Sequence, residues 1–316
     1  MARGYRSRRT CLSVPGSSQR FLAAAARRPA DEIMLDLEDS VAPAAKQQAR
    51  SAVIEALHAG DWSGRVAAVR VNGARTEWAY RDVIDVTEQA GRIVDVIVLP
   101  KVSAPADVLW LDLLLGQVEQ AASLPPGRLG IEAQIEDAAG LAAVEAIAAS
   151  SPRLEALVFG PADFMASVGM RSLAIGAQPA GYAGADAFHY PLLRILVAAR
   201  AHGLQAIDGP YAAIADTEGL SRSAASAAAL GFDGKWVVHP GQIDPVSAAF
   251  TPGQDEYDQA EVLLEAYAHH TAVERRGAAV LDGQMIDEAS AALARVIAAR
   301  GRVAGLARTR HYQPPG

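Results

Sequence analysis

A single cysteine, Cys11, occurs in 316 residues, which excludes a disulfide framework and any multi-cysteine metal site and fits a reducing compartment. No apolar run approaches the length of a membrane span, and the opening MARGYRSRRT lacks the apolar stretch that follows the basic residues of a signal peptide. Excess positive charge is absent too. Lys and Arg number 29 against 36 Asp and Glu, for a formal net charge of −7, which argues against nucleic acid or an anionic membrane as partner. Apolar side chains, in contrast, make up 51% of the chain, enough to bury a large core. The expectation is a cytoplasmic enzyme.

Eight short apolar runs read as strands: CLSVP (11–15), EIMLDLED (32–39), RVAAVRVN (65–72), VDVIVLP (94–100), LGIEAQIE (129–136), LEALVFG (154–160), LQAIDG (204–209) and GKWVVHP (234–240). Ala-rich segments with apolar residues at helical spacing lie between them. Near-continuous apolar strands mark a sheet covered on both faces. Eight β/α repeats in about 240 residues have the count and length of a (β/α)8 TIM barrel, with a doubly wound open sheet as the competing architecture. The barrel is expected over residues 1–250, followed by a helical extension over 251–316. The tail from 277 is too small for a core of its own, so it should pack on the barrel or on a neighbouring subunit. Residues 170–189, rich in Gly and Ala, read as a long loop in the sixth unit, of the kind that forms lids or interfaces.

Barrel enzymes build their sites at the C-terminal ends of their strands. Those ends carry Glu38 and Asp39, Arg70 and Asn72, Lys101, Glu136, Asp163, Asp208 and His239. The strand–helix–strand stretch 129–164 should bring Glu136 and Asp163 together. Paired carboxylates either repel, raising one pKa, or share a hard divalent cation that takes oxygen ligands. The cation is the favoured reading, with ordinary strand-end or N-cap acids as the alternative. Arg3, Arg6, Arg8, Arg9, Arg20, Arg27 and Arg28 concentrate positive charge near the first unit, where Gly16-Ser17-Ser18 is a candidate phosphate turn; for Arg3 to Arg9 a solvated basic arm is an equal reading. His239 and Asp208 read as structural hydrogen-bonding residues.

The segments CLSVPGSSQR, MLDLEDSVAPAAKQQAR, VRVN, VLPKV, IEDAAG, LVFGPADFMASVGM, QAIDGPY, ALGFDGKWVVHPGQI and MIDEAS resemble, in order, the citrate lyase β-subunit-like (HpcH/HpaI aldolase) CoA-ester lyases. Within that group the chain looks most like malyl-CoA and β-methylmalyl-CoA lyases, from about residue 8 to 300. The resemblance implies Mg²⁺, with Mn²⁺ as a substitute, held by Glu136 and Asp163. It also implies Arg70 as the arginine binding the reacting carbonyl and acid groups, and Asp287 as an acid on a C-terminal lid offered to a neighbour's site. Read from the residues alone, Asp287 is a helix N-cap, and the alternative to a functional Arg70 is a cation paired with Glu38 or Asp39. Arg20, in the PGSSQR motif, is expected to bind the CoA part of the substrate. Lys101 is expected to touch substrate or balance Glu38, and Glu38 and Asp39 to hold metal-bound water or orient Arg70.

The implied reaction is reversible cleavage of (S)-malyl-CoA, with β-methylmalyl-CoA as a second substrate, to acetyl- or propionyl-CoA plus glyoxylate, in a homo-oligomer, trimer or hexamer. Its rivals are citramalyl-CoA lyase, giving pyruvate, malyl-CoA thioesterase, a non-catalytic acyl-thioester-binding subunit, and a metal-dependent 2-oxo-acid aldolase acting without CoA.

Overall fold

A computed structural model describes residues 6–184, 186–273, 275 and 277–314; Arg3 of the basic cluster lies outside them. All eight expected strands form, and they pair in parallel in chain order as a closed barrel: β1 Thr10–Pro15, β2 Glu32–Asp36, β3 Val66–Arg70, β4 Val96–Leu99, β5 Gly130–Ile135, β6 Leu154–Phe159, β7 Gln205–Asp208 and β8 Gly234–Val237. Closure excludes the open sheet. The connections carry α1 Gln19–Ala25, α2 Lys46–Ala59, α3 Ala79–Ala90, α4 Pro105–Ala121, α5 Ala138–Ala142, α6 Val144–Ala148, α7 Pro161–Ser167, α8 His189–Ala201, α9 Thr217–Leu230 and α10 Ile243–Ala249. No described helix is long and apolar enough to cross a membrane.

Side chains alternate along each strand, and in β2 the two faces differ in chemistry. Ile33 and Leu35 join the large core with the helices. Met34 packs inside the barrel with Cys11, Val98, Ala156 and Trp236. Its neighbours on that inner face, Glu32 and Asp36, are charged and buried.

The N-terminal end of the barrel is closed by Arg8, 1% exposed. Its Nε donates to Glu32 at 2.9 Å and Glu132 at 2.6 Å, its Nη2 to Glu155 at 2.6 Å, and its Nη1 to Gln205. Arg6 pairs with Glu155 and Asp95, and Arg9 with Asp31. These arginines are therefore committed to carboxylates at the N-terminal ends of the strands and do not add to an anion site at the opposite mouth. One guanidinium faces three carboxylates, and burial, with Glu132 adding repulsion, pushes the Glu32 carboxyl well above its ordinary value. A raised folded pKa contributes stability that is complete below the unfolded value and is lost as pH rises through the folded one. Glu32→Gln, which stays neutral, should lose less stability on alkalinisation than the wild type, as read from urea midpoints across pH. Parallel pH profiles would contradict this.

Residues 251–316 form a second compact unit. In it α11 Gln254–Ala272 and α12 Glu288–Val303 pack through Tyr257, Ala260, Ala294 and Ala298. A hairpin of β9 Ala279–Leu281 and β10 Gln284–Ile286 turns at Asp282-Gly283, both at positive φ (49° and 80°), the combination a two-residue type I′ turn requires. Asp287 caps α12: its Oδ1 accepts from Ser290 N at 3.0 Å.

Candidate active site

The C-terminal mouth of the barrel starts from a strand register. Arg70, the last residue of β3, stands opposite Asp36, the last of β2. Arg70 Nε and Nη2 donate to the two Asp36 oxygens at 2.7 and 2.8 Å, and Nη1 lies 3.0 Å from Glu38 Oε2. The sequence reading paired Arg70 with Glu38 or Asp39. The structure confirms Glu38 but gives the bidentate partner as Asp36, which that reading missed. Asp36 also accepts from the N–H groups of Glu38 and Ser40. Against the upward push of burial, Arg70 and these donors hold its carboxyl below the ordinary value. Arg70 thus keeps its charge and a fixed orientation, with two of its five N–H groups left over.

A buried frame holds the β2–α2 turn. Lys46 Nζ donates to the carbonyls of Leu37 (2.9 Å) and Glu38 (2.7 Å), and Asn72 Nδ2 donates to Leu37 O and to Asp82, which also accepts from Arg50.

Glu136 lies one residue beyond β5, buried. Asp163 falls in the first turn of α7, a few residues past β6, so it is a helix residue and not the strand end that the sequence suggested. Both line one cavity of about 390 Å³ with Asp36, Asp39, Arg70, Gln134 and Trp236. Burial, then repulsion from Glu38 and Asp163, pushes the Glu136 carboxyl up to about 8 despite Arg70 and Lys101. Lys101 adopts φ 54°, a left-handed conformation uncommon for a lysine. Its N–H thereby donates to Glu136 Oε1 at 2.5 Å, while Nζ contacts Glu38, Asp39 at 3.2 Å and Asp163 at 3.8 Å.

The residues present fit a hard divalent cation. Two carboxylates converge, Glu136 is raised by burial and then by its acidic neighbours, and Gln134 Oε1 is a buried oxygen with no partner among the described residues. No group of three or more His, Cys, Asp and Glu that could hold a metal ion is found among the described residues; the donors that do line the cavity, Glu136, Asp163 and Gln134, are oxygens, the ligand type of a magnesium-like ion. Gly160 makes room for this arrangement: a Cβ there would lie 2.4 Å from Glu136 Cβ and 2.5 Å from its Oε2. Gly160→Ala should therefore displace Glu136 and weaken divalent-cation binding about tenfold or more, measured by titration calorimetry. Unchanged affinity would separate Glu136 from the cation.

Arg20 and Asp287 do not line this cavity. Arg20 stacks on Phe21, 4.7 Å from ring centroid to Cζ, and lines a second cavity of about 510 Å³ with Arg28, Pro15 and His239. The Gly16-Ser17-Ser18 turn spends its Gly16 and Ser18 N–H groups on Asp36 O and Pro15 O, which removes two of the donors proposed for phosphate. His239 Nδ1 accepts from Gly241 N, and Asp208 pairs with Lys235 at 2.5 Å, both structural as expected. Asp287 is the cap of α12, with its carboxyl held below the ordinary value by Ser290.

Residues 9–240 match the family described as HpcH/HpaI aldolase/citrate lyase. An L-malyl-CoA/beta-methylmalyl-CoA lyase of Cereibacter sphaeroides is 42% identical over 92% of this chain and 94% of its own. The citrate lyase subunit beta of Escherichia coli is 34% identical over 96% of both. Among solved structures, CitE from Mycobacterium tuberculosis, in complex with magnesium, acetoacetate and coenzyme A, superposes with a TM-score of 0.74 at 30% identity, covering 94% of this chain and 98% of that one.

Proposed function

The chain belongs to the HpcH/HpaI aldolase/citrate lyase family, and from that premise we propose that it is a Mg²⁺-dependent carbon–carbon lyase of CoA thioesters. Its substrate is (S)-malyl-CoA, with β-methylmalyl-CoA as a second, and the products are acetyl- or propionyl-CoA and glyoxylate, reversibly. The observation that carries this reading is the convergence of Glu136, Asp163 and the buried Arg70 on one cavity. The malyl-CoA/beta-methylmalyl-CoA lyase relative and the magnesium and coenzyme A bound by the CitE protein support it.

Glu136 and Asp163 are the residues that would hold the ion, which would supply Lewis-acid polarisation of the hydroxyl and carboxylate that become glyoxylate. As the C2–C3 bond breaks, the C2 hydroxyl gives up its proton to become the glyoxylate carbonyl, the C2–C3 electron pair passes to the thioester carbonyl and negative charge grows on oxygen. One proton returned to the enolate carbon balances the one lost. Arg70, held by Asp36 and Glu38, offers its remaining N–H groups to that charge without losing its own proton. Asp287, on a lid formed by residues 251–316 and reaching a neighbouring subunit's site, exchanges the proton at the enolate carbon. Arg20 and Arg28 on the second cavity provide cations for the CoA phosphates.

The test is to incubate the protein with malyl-CoA, β-methylmalyl-CoA and citramalyl-CoA in the presence of Mg²⁺ and to identify the acid released. Glyoxylate with acetyl- or propionyl-CoA is expected. Pyruvate from citramalyl-CoA alone would favour the citramalyl rival, and free CoA without glyoxylate the thioesterase.

A further inference from the structure

The structure treats two of the chain's tryptophans differently. Trp62 donates its indole N–H to Leu57 O at 2.8 Å, as buried indoles usually do. Trp236, on β8, is 5% exposed and packs among the interior residues, yet its Nε1 has no hydrogen-bond partner among the described residues. An indole nitrogen only donates, and no nearby carbonyl has been recruited to accept from it. Trp236 lines the same cavity as Arg70, Glu136 and Asp163, and its ring faces the Arg70 guanidinium, with the centroid 4.9 Å from Cζ. A second buried polar atom of that cavity, Gln134 Oε1, also lacks a partner. The residues that line the cavity thus include an unspent buried donor and an unspent buried acceptor beside a fixed cation. A short 2-hydroxy or 2-oxo acid complements that set: its carboxylate takes the donor and the charge, and in a 2-hydroxy acid the hydroxyl can also serve the acceptor.

We infer that the indole N–H of Trp236 is a substrate-binding donor to a carboxylate oxygen of the hydroxy- or oxo-acid part of the substrate, beside Arg70. This rests on the lyase reading above. The ring's contact with Arg70 is a separate contribution that phenylalanine can retain, so Trp236→Phe isolates the N–H. Removing a buried donor with nothing to bond also relieves the free protein of an unpaired polar group, so the variant should fold at least as stably.

The experiment measures glyoxylate binding in the presence of Mg²⁺, CoA binding, and melting temperature for the wild type and Trp236→Phe. Glyoxylate affinity should fall about ten- to a hundredfold, as for loss of a hydrogen bond to a charged group, with CoA affinity unchanged and the melting temperature equal or higher. In wild-type protein labelled with ¹⁵N at its four tryptophans, glyoxylate should shift the one indole resonance that is missing from the variant. Wild-type glyoxylate affinity in Trp236→Phe, or an unmoved Trp236 resonance on saturation, overturns the inference while leaving the lyase reading intact. A joint fall of melting temperature, glyoxylate and CoA affinity assigns Trp236 to packing and overturns it as well. Failure of the wild type to bind glyoxylate with Mg²⁺ removes the lyase reading and this inference with it.

Discussion

Arg70→Lys is expected to lower kcat on malyl-CoA on the order of 10²-fold or more, as for loss of a preorganised donor to a developing oxyanion. The charge survives the substitution, so a purely Coulombic role would be largely preserved. The two-pronged geometry is what disappears. In the wild type, Nε and Nη2 grip Asp36 in parallel and Nη1 reaches Glu38, which aims the rest of the guanidinium at the cavity. A lysine ammonium has three donors on a flexible stem and would be drawn toward Asp36 and Glu38, away from substrate. It would also lose much of the stacking on Trp236. Because Arg70 is buried, melting temperature must be followed in parallel. A loss of rate much larger than the loss of folded protein identifies a group acting in the transition state. Near-normal turnover would mean that Arg70 serves only as counter-ion to Asp36 and Glu38.

Asp287→Ala is expected to remove most turnover while leaving metal and CoA binding almost unchanged, since it alters proton transfer and not capture. The cap on α12 makes a control necessary, because loss of an N-cap also destabilises the helix. Asp287→Asn keeps a capping side chain and cannot exchange the proton, so it should be equally inactive and more stable than the alanine variant. Subunit exchange then tests where the residue acts. Mixing inactive Asp287→Ala chains with inactive Arg70→Ala chains should create sites with both residues intact in a homo-oligomer whose lids cross between subunits, and activity should return. Confirmed exchange with no recovery would confine Asp287 to its own chain or to helix capping.

The barrel was legible because eight buried parallel strands leave eight apolar runs with β/α alternation between them, and those runs became strands within a few residues. The inner face of the barrel was harder to see. Glu32, Met34 and Asp36 share that face with opposite chemical needs, while Ile33 and Leu35 alternate with them, so EIMLDLED reads as one apolar strand ending in acids. That pattern drew attention to Glu38 and Asp39 and passed over Asp36, whose partner is set by the register with β3. The basic N-terminus misled for a related reason. Composition alone does not reveal that Arg8 enters the barrel's N-terminal end to meet Glu32, Glu132 and Glu155. Trp236 and Gln134 carried no sequence signal, since an unpaired buried atom appears only once every other partner has been placed. Glu136, Asp163, Arg70 and Lys101, in contrast, were visible as polar residues at or just past strand ends, and they converge.

Metal-dependent release of glyoxylate tests the proposed lyase chemistry most directly. With malyl-CoA as substrate, excess chelator should abolish glyoxylate formation and added Mg²⁺ should restore it, with Ca²⁺ a poor substitute because of its larger size and looser geometry. Asp163→Asn should need more Mg²⁺ for the same rate while melting near the wild-type temperature, because its half-exposed side chain contributes little packing. Glyoxylate released at the full rate in excess chelator would contradict the assignment of Glu136 and Asp163 and the lyase chemistry built on them.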